Sequence, residues 1–187
     1  MRNIHIRFNA PVTLTFVLIC LITLICGYLT NFNSTAAMFM TYRSSLANPL
    51  FYFRLVTYIF GHSDWSHFVS NMTYILLLGP MIEEKYGSKN LIIMGIVTAI
   101  IGGLLNALLF SNTALCGASG IVFMLIVLSS ITSVEQKEIP LTLVLVFIIF
   151  VGGEIYSALF VQDSISQLTH IAGGICGGLF GIMLNQK

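Results

Sequence analysis

No charged residue occurs between Lys89 and Glu135. A hydrocarbon layer about 30 Å thick is crossed by roughly 20 helical residues, so this stretch alone is long enough for two crossings. Lipid offers no partner to an unpaired backbone N–H or C=O, which leaves helices and closed barrels as the spanning forms. The alternation of a barrel strand is absent, and the reading is therefore helical. Only 8% of the 187 residues are charged and 57% are apolar, against about a quarter charged in soluble domains, so the whole chain reads as a membrane protein.

Apolar windows at 11–30, 66–82, 90–110, 117–134, 139–160 and 166–185 predict six spans in a single domain, 1–187, an all-α polytopic bundle. The first window follows Arg2 and Arg7 in the manner of a signal peptide, but its length and the lack of a small-x-small cleavage site favour a retained span. With the N-terminus inside, Arg2, Arg7, Lys85, Lys89, Lys137 and Lys187 fall on the cytoplasmic side and Arg43 and Arg54 outside. That bias predicts two cytoplasmic termini. The long connection 31–65 contains Tyr42, Arg43, Phe51, Tyr52, Phe53, Arg54 and Trp65, the mixture of a structured segment resting in the interface. A net charge of +1 and scattered cations form no patch for nucleic acid. Cys20, Cys26, Cys116 and Cys176 lack ligand spacing and read as small buried hydrophobes.

Polar groups inside a span are costly, so each is a candidate for function. The second, fourth and sixth spans run in the same direction and end at Glu83, Glu135 and the Gln186-Lys187 tail. His67, Ser119 and His170 each precede their boundary by 16 residues. They therefore share one level, about 24 Å above the cytoplasmic edge and about 6 Å below the outer one. Gly117-Ala118-Ser119-Gly120 places a hydroxyl at a helix start, where unpaired N–H groups suit an oxyanion. A serine back-bonding within its own helix would look the same. His170 opens a segment with glycines at 173, 174, 177 and 178, which lets another helix approach, and Ser119 and Gly120 offer the facing surface. His67 and Asn71, four apart, share a helix face and can both donate to an oxygen that gains charge; interhelical packing bonds are the competing role.

As an ordered set on six spans, Phe53-Arg54, His67-x-x-x-Asn71, Gly117-x-Ser119-Gly120 and His170-x-x-Gly173-Gly174 resemble the bacterial rhomboid intramembrane proteases over nearly the whole chain. The resemblance implies a six-helix rhomboid-like bundle with a Ser119–His170 catalytic dyad. It also implies an oxyanion hole from His67, Asn71 and the Ser119 backbone N–H, supported by Gly117, Gly120, Phe123, Arg54, Gly173 and Gly174. The family's Trp-Arg pair is Phe53-Arg54 here, and its tyrosine beneath the catalytic histidine is Phe123, which keeps the ring and loses the hydroxyl. Glu83-Glu84-Lys85 is similar to the charged cluster that closes the family's second helix, a structural feature. In the family, the fifth helix and the loop before the sixth form a mobile wall; here these are 139–160 and 161–166. Glu154, the one acidic residue inside an apolar span, matches no family motif.

The activity so implied is a serine endopeptidase that hydrolyses a peptide bond in or near the transmembrane segment of membrane-protein substrates. It would act in the cytoplasmic membrane of a bacterium, surrounded by lipid, with its site opening to the external side and with no cofactor, metal or oligomer required. Two other readings are a small proton-coupled transporter or channel relaying through His67, His170 and Glu154, and a non-catalytic rhomboid-like client-binding protein. The first lacks a deeper acidic partner. The second gives no reason to keep both Ser119 and His170. HExxH is absent, and Asp64 and Asp163 both fall in external connections, which disfavours zinc and aspartyl chemistry.

Overall fold

The computed structural model describes residues 8–131 and 164–184, with isolated positions between 141 and 152. Helix α1, Pro11–Leu29, opens on a proline, whose missing N–H costs nothing in a first turn. The connection expected on the external side, termed the external segment, then folds into a short α2, Asn33–Met38, and α3, Pro49–Thr57, which tightens into one 3-10 turn over Tyr58–Phe60. After it come α4, Trp65–Tyr86, α5, Ser88–Leu109, α6, Ser119–Ile131, and α7, Ser164–Leu184. Between α4 and α5 the chain turns on Gly87, at φ 83°, a backbone conformation that only glycine adopts readily.

Three helical stretches, Pro11–Leu29, Ser88–Leu109 and Gln167–Leu184, are long and apolar enough by themselves to cross a membrane. The expected windows at 66–82 and 117–134 correspond to α4 and α6. The polar residues of α4 lower its hydropathy, and α6 is described over 13 residues only. The expected fifth span at 139–160, with Glu154, lies largely outside the described residues, as do 1–7 and 185–187.

Helix α6 lies at the centre, against α4, α5 and α7, and contributes Met124, Leu125 and Leu128 to the core. Facing it are Met72, Ile75 and Ile82 of α4 and Met94 of α5. Leu77, Leu179 and Met183 point outward, as expected where the surrounding solvent is hydrocarbon. Cys20 and Cys176 are buried, but Cys26 is exposed on the C-terminal half of α1 beside Ile22, Ile25 and Leu29. Burial is therefore the wrong reading for Cys26; a thiol is apolar enough to face lipid.

Two polar fastenings position these helices. Buried Glu83 accepts from the Val12 and Thr13 amides, 2.9 Å each, from the Thr13 hydroxyl at 2.8 Å and from the Ser88 hydroxyl at 2.7 Å. One carboxylate so satisfies the first turn of α1 and ties it to the α4–α5 corner. About three turns further along α1 the Thr23 hydroxyl donates to the Phe60 carbonyl at 2.6 Å. The external segment is pinned separately, by a two-way bridge between Thr41 and Leu115 at 2.9 Å. Buried Arg54 donates through Nε to the Ala37 carbonyl at 2.8 Å and lies 4.6 Å over the Tyr42 ring, while Phe53 projects outward.

Candidate active site

The strand-like link from Leu115 to Ala118 delivers Ser119 to the first position of α6. The Gly117 amide donates to the Tyr58 carbonyl at 3.0 Å, so the external segment sets the height of this link. Gly117 has φ 123°, and a β-carbon there would lie 2.7 Å from His67 Cε1 and Nε2. Conformation and space both demand glycine. The first amides of α6 have no partner in the preceding turn, the standard condition of a helix start.

Helix α7 meets α6 backbone to backbone. A β-carbon at Gly173 would collide with the Gly120 carbonyl, one at Gly177 with the Met124 carbonyl, and one at Gly181 with the Ile131 side chain. Gly174 faces Val127 at an ordinary 3.4 Å. The close-contact face is therefore 173, 177 and 181, a four-residue repeat, and Gly174 lies beside it. This seam brings His170 level with Ser119. The half-buried imidazole stacks on Phe123, with ring centroids 4.3 Å apart and planes 6° apart. An aromatic floor limits the ring to rotation in its own plane.

Ser119, Phe123 and His170 line one cavity of about 300 Å³ with His67 and Asn71. Ser70, Tyr74 and Val122 complete its wall, and sequence reasoning singled out none of them. Asn71 is buried, and its Nδ2 has no hydrogen-bond partner among the described residues. A buried amide without an acceptor costs about 1–3 kcal/mol and calls for an explanation.

His67 is held from outside. Asp64 caps α4, accepting the His67 amide at 2.8 Å and the Ser63 hydroxyl at 2.8 Å; these bonds hold its carboxyl below the usual range. Ser63 also lies 3.2 Å from His67 Nδ1. With its one proton given to Asp64, Ser63 receives the Nδ1–H, which leaves Nε2 directed to Gly117. Behind His67 lies His62, fully buried, edge-on at 5.1 Å, with Nδ1 3.3 Å from the Phe60 carbonyl and Nε2 without a partner among the described residues. Burial, then His67, push its pKa down to about 4, so it is neutral at pH 7. Nothing in the sequence pattern flagged His62, since one histidine in a connecting loop carries no periodicity. Arg54, Gly120 and Gly173 do not line the cavity; the first fastens the external segment and the others form the seam.

Residues 50–187 match the Rhomboid domain family. The chain is 28% identical to Rhomboid-related protein 1 of Caenorhabditis elegans over 84% of its own length and 46% of that protein's. It is 26% identical to the chloroplastic Rhomboid-like protein 11 of Arabidopsis thaliana, covering 72% of this chain and 53% of that one. With the Rhomboid protease GlpG of Serratia proteamaculans it shares 23% identity over 89% of this chain and 60% of the relative. The chain thus spans about half the length of the curated relatives it matches.

Proposed function

As the chain belongs to the rhomboid family, we propose that it is an intramembrane serine endopeptidase that hydrolyses a peptide bond in or near a transmembrane segment of its substrates. Ser119 attacks the scissile carbonyl, and His170 takes its proton and later delivers it to the leaving amine. Water then releases the acyl group from Ser119. The observation that carries this reading is the cavity that holds Ser119, His170 and the unpartnered Asn71 amide together. A donor left without an acceptor in the resting site is free to receive an oxyanion, and the transition state then repays its desolvation.

His67 is the second donor. With Nδ1–H committed to Ser63, it donates from Nε2 only when its ring is protonated, whereas Asn71 donates at any pH. The Ser119 backbone N–H is the third. Phe123 keeps the His170 ring in plane, and the glycine seam fixes its distance from α6.

The active site faces the external side of a bacterial cytoplasmic membrane, with both termini inside. A substrate helix hides its carbonyls in its own hydrogen bonds, so sites near its outer end, rich in glycine or other weak helix formers, are the ones exposed to attack. The test is reconstitution of the chain in liposomes with a panel of single-span substrates. Cleavage mapped by mass spectrometry to the outer part of the span supports the reading; cleavage confined to soluble loops, or none by folded protein, contradicts it.

A further inference from the structure

A second cavity lies away from the candidate site. It is a cleft of about 440 Å³ between α1, α4 and α5, with walls that include Phe16, Ile75, Gly79, Ile92, Gly95 and Ile96. Helices α1 and α4 pack closely, whereas α1 barely touches α5, so the opening lies between α1 and α5. Gly95 faces open space, since a β-carbon there would meet no atom within 4 Å. From Pro11 to Ile19 the cleft climbs about 12 Å along α1. Its upper end is closed by Val56, Ile59 and Phe60 of the external segment and by Ile121, two residues beyond Ser119.

We propose that this cleft is a binding site for one acyl chain of an anionic phospholipid, from the leaflet at the Lys89 end of the bundle. The walls are almost wholly apolar, and such a space stays dry and is filled by hydrocarbon. A transmembrane helix, about 10–12 Å across with its side chains, is too wide for a cleft of this volume. The headgroup is specified by charge. Lys89 is exposed and lies on the face of α5 that carries Ile92 and Ile96, one turn below the mouth. Glu83 also lies at the mouth, but four donors surround its carboxylate. Glu84 belongs to the flank of Leu77 and Met81, away from the opening. A lipid phosphate at this level therefore meets Lys89.

Native mass spectrometry tests this on the full chain released from nanodiscs with equal amounts of phosphatidylglycerol and phosphatidylcholine. One phospholipid is expected to stay bound per chain, with phosphatidylglycerol favoured about fivefold, the factor for one lysine near the membrane surface. Lys89→Gln is expected to erase the preference and keep one lipid bound. Gly95→Phe fills the cleft and is expected to release both kinds of lipid. Thr15→Trp closes it from the α1 wall, so the test stands if the first variant does not fold; a cooperative thermal transition identifies folded protein. Undiminished retention in a folded cleft-filling variant, or equal retention of both lipids by the unaltered chain, overturns the proposal. A photoreactive group at position 92 that crosslinks to protein and not to lipid overturns it as well.

Discussion

Helices α7 and α1 are both apolar, yet they are held in opposite ways. Gly173 and Gly177 press α7 onto the α6 backbone along a seam of direct backbone contact. Helix α1 is clamped at two polar points, by Glu83 at its first turn and by the Phe60 carbonyl at Thr23, with the cleft beside the stretch between them. Backbone contact locates a helix to a fraction of an ångström, and the proposed dyad needs that placement of His170 beside Ser119. Two polar points fix α1, its Cys20 and Leu24 are buried in the core, and one flank between the two points borders the cleft. Precision is concentrated where the chemistry requires it.

The largest effect is expected where one side chain does the holding. Glu83→Ala leaves two amides and two hydroxyls without their carboxylate, and equilibrium unfolding in micelles should show a loss of about 3 kcal/mol. Acidification separates the two regions next, because His62 lies on the site side. Its folded pKa, about 4, is below the ordinary 6.5, so the unfolded chain binds the proton first. The contribution of His62 is present above pH 6.5 and is lost as pH falls towards 4, by up to about 3 kcal/mol. In His62→Leu that part of the pH dependence should vanish from the same unfolding curves.

Asn71→Leu should slow substrate cleavage about a hundredfold and yet raise stability by about 1 kcal/mol, because the variant removes a buried amide that has no acceptor. A packing role predicts the reverse sign for stability. Two alanines then compare the regions directly. Gly173→Ala drives a methyl into the Gly120 carbonyl and should cost about 2 kcal/mol. Gly95→Ala points its methyl into the cleft and should change stability by less than about 0.5 kcal/mol. Similar losses at both positions would erase the distinction between seam and cleft.

The seam was legible in the sequence because it obeys helical spacing: glycines three and four apart define a face without any knowledge of the partner. The common level of His67, Ser119 and His170 was legible for the same reason, since depth in a membrane helix is a residue count. The external segment was not. Its position depends on the Thr41–Leu115 bridge and on the Gly117 amide meeting Tyr58, contacts between distant residues that leave no periodic trace. His62 and Ser63 escaped notice, and the capping role of Asp64 with them, because they act through that segment. The tight face of α7 is also narrower than the pattern suggested: Gly177 and Gly181 belong to it, and Gly174 does not.

In the proposed mechanism His170 activates Ser119, and this step decides between hydrolysis and a non-catalytic role. It is tested most directly by fluorophosphonate labelling of the solubilised chain alongside Ser119→Ala and His170→Ala. Modification of the unaltered protein at Ser119 and its loss in both variants are expected. Labelling undiminished in His170→Ala, or no labelling of a folded chain, would contradict it.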